Sequence, residues 1–236
     1  RPPRSTLFPY TTLFRSEVSE TTNSLILPIS IQETSSQTVF RKSPESKKTI
    51  IKGMNSNGIN EFFSTGDMLG TVLQDVFTNV NIYDDEIRLL QRRFTSPIAK
   101  EGLNFYKYYL MDTLTVDRDT CVHLTFVPQN SQDFGFTGHL YVLKDSTYAV
   151  KKCVMNLPKK TGVNFVNQLD IVQQYEQLPN GNWVLMDDDM LVDLSLVKSM
   201  GGLQVQRTTK YSNYKFDPIE QRLFRLKGSV IKEADM

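Results

Sequence analysis

From residue 104 onward, apolar and polar positions alternate with a period of two between short polar turns, the pattern of antiparallel strands burying one face. Residues 104–116 place Tyr108, Leu110, Leu114 and Val116 on one side. Past a turn at Asp117-Arg118-Asp119, residues 121–127 offer Val122, Leu124 and Phe126. Residues 134–143 offer Phe136, Leu140 and Val142, and residues 148–157 follow the turn Lys144-Asp145-Ser146. A slip of one residue would turn every side chain to the other face, so matching apolar positions selects a register. The match opposes Phe126 to Phe136, Val122 to Leu140, Leu114 to Val122, Leu110 to Phe126, Val150 to Leu140 and Tyr148 to Val142.

A second hairpin is predicted at Asn180-Gly181, two residues that tolerate the positive φ of a type I′ turn. Its arms run over 166–178 and 183–197 and oppose Tyr175 to Met186, Ile171 to Met190 and Leu169 to Val192. Gly201-Gly202 then turns into a last strand at 203–214. The front half is less regular, with strands expected at 24–31 and 37–41 and a partner at 48–52. Met68, Leu69, Val72, Leu73, Val76 and Phe77 recur at helical spacing and predict one amphipathic helix over 66–80. Ser96-Pro97, with Gly102 beyond, suits a short helical turn. The expected fold is mainly β (α+β): a curved antiparallel meander or half-barrel packed on that helix. One domain spans 17–215, and a polar connector at 216–236 leads toward a missing carboxy-terminal region.

Residues 1–16 translate, codon for codon, a common DNA-sequencing adaptor. They are read as a library artefact outside the fold, with the true start missing, so the absence of an export signal carries no information. Without its three arginines Lys+Arg falls from 27 to 24 against 26 Asp+Glu, and the net charge moves from +1 to −2. A near-neutral chain without basic clusters offers no electrostatic footprint for nucleic acid. The one basic run, Arg41-Lys42-Ser43-Pro44-Glu45-Ser46-Lys47-Lys48, reads as a solvated loop. No apolar stretch approaches the roughly 18 residues of a spanning helix, so this piece reads as soluble.

Chemistry-bearing residues are few. The selected register places His123 opposite His139 on the face away from the core, with Lys151 as the next neighbour. Two imidazoles beside a lysine fall short of the three protein ligands usual for zinc, and no metal is assigned. Cys121 and Cys153 stand two strands apart, about 9.5 Å against a bridging limit of about 7 Å, and are expected as free thiols. Asp187, Asp189 and Asp193 share a strand face and read as solvated, because successive strand carboxylates do not converge as a calcium loop does. Asp188 interrupts an apolar face between Met186 and Met190, where it would point into a partly wet cavity. Phe105, Tyr106, Tyr108 and Tyr109 make a strand apolar on both faces, which fits core packing, a covering helix or a groove for an apolar ligand. Motifs for a nucleophile elbow, phosphate loop, zinc protease or dinucleotide fold are missing, so no catalytic residue and no cofactor are assigned.

Five short segments come in a distinctive order: Asn81-Ile82-Tyr83-Asp84, Phe94-Thr95-Ser96-Pro97-Ile98-Ala99, Tyr106-Lys107-Tyr108-Tyr109-Leu110-Met111-Asp112-Thr113, Phe136-Thr137-Gly138-His139-Leu140-Tyr141-Val142 and Asp145-Ser146-Thr147-Tyr148-Ala149-Val150. Over residues 67–217 the chain resembles a domain-of-unknown-function family of large Bacteroidetes outer-membrane proteins labelled "carboxypeptidase-like regulatory domain-containing". Where that family carries Asp-Asn after the tyrosine, this chain has Asp84-Asp85. The resemblance implies a non-enzymatic module on the periplasmic side of the outer membrane, serving binding, positioning or transport beside a downstream barrel of the same chain. The phrase Phe136-Thr137-Gly138-His139-Leu140-Tyr141-Val142, followed by the turn Asp145-Ser146-Thr147-Tyr148, is similar, more loosely, to lipoprotein-carrier half-barrels. That likeness implies the alternative of a soluble carrier with an apolar or lipid ligand. A hydrolase rests on the family label alone.

Overall fold

The computed structural model describes residues 17–18, 25–26, 30–58, 78–157, 166–197 and 201–235. Contacts group the chain into two compact units, Arg1–Ser64 with Lys215–Met236, and Thr65–Tyr214, where one domain over 17–215 is expected from the alternation. In the first unit β1 (Glu17–Val18) pairs with β2 (Leu25–Ile26), and β3 (Ser30–Arg41) forms an antiparallel hairpin with β4 (Ser46–Gly58). The basic run is therefore loop only over its middle: Lys42–Glu45 turn, while Ser46, Lys47 and Lys48 already belong to β4.

The second unit opens with a small hairpin, β5 (Glu86–Leu89) and β6 (Arg92–Thr95), followed by a helical turn at Gly102–Phe105. Seven strands then form one antiparallel meander in chain order. They are β7 (Tyr106–Val116), β8 (Asp119–Pro128), β9 (Thr137–Leu143), β10 (Val150–Leu157), β11 (Val166–Gln177), β12 (Trp183–Val197) and β13 (Gly201–Lys210). The sheet is not closed: β7 and β13 are its two edges. The mainly β meander expected from the alternation is the architecture observed. Residues 66–77 of the expected helix lie outside the described residues, and Thr78–Val80 are not helical.

The registers differ from the apolar match in an instructive way. Strand β8 meets β9 with Val122 opposite Val142, Leu124 opposite Leu140 and Phe126 opposite Gly138. That is two residues from the expected pairing, so the faces are kept and the partners change. A slip of two conserves the hydrophobic pattern, which is why matching apolar residues could not detect it. Strand β7 shows the same two-residue slip against β8, with Leu110 opposite Leu124 instead of Phe126, and bulges add further shifts. One at Met111 changes the face that β7 presents, so Leu114 stands opposite Cys121 instead of Val122. Between β9 and β10 a longer turn puts Val150 opposite Val142 and leaves Tyr148 in the turn, exposed and with φ of 49°, and a bulge at Lys151 shifts the pairing by one more residue beyond it. A third at Met186 gives Tyr175 the partner Leu185, while Ile171–Met190 and Leu169–Val192 stand as expected.

The turn at Asn180-Gly181 is also of another kind. Leu178 O accepts from Gly181 N at 2.8 Å, and of the turn residues only Gly181 has positive φ, 85°. Pro179 fixes its φ near the value a type I turn needs at its first central position, so the hairpin takes a three-residue loop closed by glycine. The two-residue turns with both φ positive occur instead at Asp117-Arg118 and Leu90-Gln91. At the latter, Leu90 is buried in the core. Burial of a leucine contributes about 1.5–3 kcal/mol, enough to offset the strain of its left-handed backbone.

The buried face of the meander carries Phe126, Leu140, Cys153, Met155, Leu157, Leu169, Ile171, Met190, Val192 and Leu194. Val80, Ile82, Ile87, Leu89, Leu90 and Phe94 pack into the same cluster. Aromatic rings knit it together: Phe94 lies 4.9 Å from Phe136, and Tyr106 meets Phe126 edge-on at 5.4 Å. The tail at 216–235 is folded. A helical turn at Gln221–Arg225 places Phe224 beneath the Arg41 guanidinium at 4.5 Å, and β14 (Val230–Lys232) adds in parallel to β4. Lys48 Nζ donates to Leu226 O at 2.7 Å. The polar composition that reads as a connector here serves strand addition to β4.

Candidate functional site

The segments of the distinctive order build the lining of the sheet. Asn81 Oδ1 accepts from Tyr83 N at 3.1 Å, and Asn81 Nδ2 donates to Asp84 Oδ1 at 2.8 Å, which turns the chain so that Ile82 enters the core. Buried Ser96 donates its hydroxyl to Ile82 O. Tyr106 OH donates to Thr95 O at 2.7 Å, and Tyr108 OH to Pro97 O at 2.7 Å. Both phenols have raised pKa values because they are buried. Farther along, Asp145 Oδ1 collects Thr147 N at 2.8 Å and Thr147 Oγ1 at 2.6 Å, and these donors hold its carboxyl below its usual range. Each phrase thus has an architectural task, and the aromatic run Phe105–Tyr109 divides. Tyr106 is core, Tyr108 is half-buried, and Tyr109, Leu110 and Met111 are exposed on the edge strand.

A buried polar network interrupts the apolar face. Asp188 is 1% exposed and pairs with the Arg207 guanidinium, whose Nη1 also donates to Thr78 O at 2.9 Å. Gln173 Nε2 donates to Asp188 Oδ1 at 2.9 Å and to Val80 O at 2.8 Å, and Gln173 Oε1 accepts from Tyr175 OH at 2.9 Å. The space that the sequence reading makes a partly wet cavity is filled by these partners. Their pattern was available: Gln173, Asp188 and Arg207 each break an apolar alternation, and they lie on three adjacent strands. Such a network holds residues 78–83 against the sheet, as the edge-on contact of Tyr83 with Tyr175 at 5.7 Å also does.

The other face carries an unbroken polar row through all seven strands: Asp112, His123, Tyr141, Lys152, Gln174, Asp187 and Lys210, each opposite the next. Asp187, Asp189 and Asp193 are half-buried on this face and do not converge on one point: Asp189 stands between Val172 and Thr208, Asp193 between Gln168 and Gln204. The histidines are not directly opposed. His123 faces Tyr141 and His139 faces Thr125, yet the two rings meet on the diagonal, with His123 Nε2 3.0 Å from His139 Nδ1. His123 Nδ1 lies 3.0 Å from Asp112 Oδ1, and its ring stacks on Tyr141 at 4.8 Å and 6°. Thr125 Oγ1 is 3.1 Å from His139 Nδ1. A carboxylate only accepts, so Asp112 places the His123 proton on Nδ1 and turns the Nε2 lone pair toward His139. Burial, and then the neighbouring His123, lower the His139 pKa. Asp112 escapes a reading by alternation because the Met111 bulge is what brings it opposite His123. Among the described residues no group of three or more His, Cys, Asp and Glu gathers as a metal site.

Lys151, expected beside His139, sits in the bulge instead; the neighbour of His139 on β10 is Val154. The Lys151 ammonium is buried, pairs with Asp119 at 3.1 Å and lies 6.0 Å from the Trp183 ring. Cys121 and Cys153 are free and buried, on strands separated by β9. Burial raises both thiol pKa values. A thiol reagent at pH 8 should therefore leave both unmodified in the native chain and titrate two equivalents once urea unfolds it, because the thiolate is the nucleophile. Rapid native labelling of either cysteine would contradict the burial.

A family model described as a family of unknown function (DUF5686) matches residues 10–214. No curated protein and no solved structure matches the chain.

Proposed function

The chain belongs to this family of unknown function, DUF5686, and from the way its sheet is filled we propose a non-enzymatic module for binding, positioning or transport, held on the periplasmic side of an outer-membrane β-barrel of the same polypeptide. The observation that carries the reading is the lining of the buried face. A carrier needs apolar room beneath its sheet, and among the described residues Val80, Ile82, Ile87, Leu89, Leu90 and Phe94 occupy that face as buried side chains. A hydrolase needs donors aimed at a developing oxyanion. The strands on both sides of His123 and His139 are paired, so their backbone donors are engaged in the ladder. The periplasmic placement rests on the five ordered segments, all of which build the lining and the turns described above. Among the described residues no helix is long and apolar enough to cross a membrane, which says nothing of strands.

Cells making the intact polypeptide should carry it in the outer-membrane fraction, with this region cut by added protease only after the outer membrane is opened. Recovery from the cytosolic fraction would overturn the placement. Native mass spectrometry of the purified chain should return the mass of the polypeptide alone. A stoichiometric lipid adduct would transfer the case to the carrier.

A further inference from the structure

We propose that His123 and His139 form an exchangeable site for one divalent transition-metal ion that favours nitrogen ligands, Zn²⁺, Ni²⁺ or Cu²⁺, with Asp112 supporting His123 from behind. The two nitrogens share one proton at 3.0 Å, His139 Nδ1 donating to His123 Nε2; the ion takes the place of that proton, and neutral His139 carries its proton on Nε2 instead. An ion with metal–nitrogen bonds of about 2.0–2.1 Å in tetrahedral geometry holds two ligand nitrogens about 3.3 Å apart, so the rings need open by only about 0.3 Å. Asp112 Oδ1, 3.0 Å from His123 Nδ1, stands where a carboxylate that orients a ligating histidine stands. It leaves Nε2 as the nitrogen with a free lone pair. The stacked Tyr141 ring fixes the plane of the His123 imidazole.

The cation that the sequence places next to this pair is removed: Lys151 turns to Asp119, and Val154 stands opposite His139. The face is polar, with Thr125 Oγ1 3.1 Å from His139 Nδ1, so hydroxyl and water complete the coordination. Two protein ligands with solvent completing the sphere describe an open, exchanging site; a structural zinc is enclosed by four protein ligands.

The chain contains two histidines in all, which makes the test clean. Titration of the purified chain with ZnCl₂, NiCl₂ and CuCl₂ should show one ion bound, and the Cu²⁺ electron paramagnetic resonance spectrum should show two nitrogen ligands. His123→Gln and His139→Gln, each with unchanged circular dichroism, should each weaken binding at least tenfold and reduce the nitrogen count. Asp112→Asn should weaken binding about tenfold while keeping both nitrogens, in line with about 10–100-fold for lost support of a ligand. Imidazole resonances of the unaltered chain give a readout that needs no variant, since Ni²⁺ bound here broadens both histidines together. Failure to bind at millimolar metal, binding that persists in both glutamine variants, or broadening of one histidine alone would each overturn the site.

Discussion

Asp188→Ala should lower the stability of the seven-stranded unit by about 3–5 kcal/mol, the range for breaking a buried ion pair by removing one partner. The loss comes less from the missing attraction than from what stays behind. Arg207 keeps its guanidinium in place, its side chain 10% exposed, with Thr78 O accepting from its Nη1. Gln173 Nε2 loses one of its two acceptors in the same step. Substituting both charged residues, Asp188→Leu with Arg207→Met, should recover a large part of the loss, because replacing a buried pair by apolar groups of similar volume is often neutral. Urea unfolding followed by tryptophan fluorescence measures both, since Trp183, the single tryptophan, packs against this core. A single variant within 1 kcal/mol of the parent would show that water reaches Arg207 and that the network clamps nothing.

That network also marks how far the sequence could be read. Alternation located all seven strands of the meander, because a half-buried strand writes its faces into every second residue. It located the second arm of the 166–197 hairpin at its observed bounds and the first to within a residue. What it could not place were the events that leave the hydrophobic pattern intact. A two-residue slip between β8 and β9 preserves the faces, and the bulges at Met111, Lys151 and Met186 insert residues without a composition of their own. Those events decide the chemistry. The slip converts the facing histidines into a diagonal pair, the Met111 bulge supplies Asp112, and the Lys151 bulge takes the lysine away. The β5–β6 hairpin went unread for a related reason: its turn is Leu90-Gln91, held by burial of Leu90 and carrying no asparagine or glycine. Asp188 was legible as an anomaly, and the same logic extended one strand either way would have found Gln173 and Arg207.

Gly138→Ala should prevent the meander from forming in its native register, a loss above about 3 kcal/mol, the upper end of ordinary overpacking. A methyl group there would sit 1.9 Å from Val154 O and 2.9 Å from Val154 C, with Phe126 Cζ at 3.1 Å. A flexible side chain could swing aside, but the first two atoms are backbone of β10. Strand β9 cannot move away from β10 without opening its ladder to β8, because it lies between them. Gly138 stands opposite both Phe126 and Met155, so the ring that fills the space beside it belongs to the core and has no empty volume to enter. The control is Gly53→Ala in β4, where nothing lies within 4 Å of the added carbon. It should be neutral or stabilising by up to about 1 kcal/mol, through the reduced freedom of the unfolded chain. Thermal unfolding by circular dichroism compares the two. A Gly138→Ala chain that melts within a few degrees of the parent would mean that β9 and β10 can part enough to admit a methyl group. In that case the close approach of their backbones is not what requires glycine within the phrase Phe136-Thr137-Gly138-His139-Leu140-Tyr141-Val142.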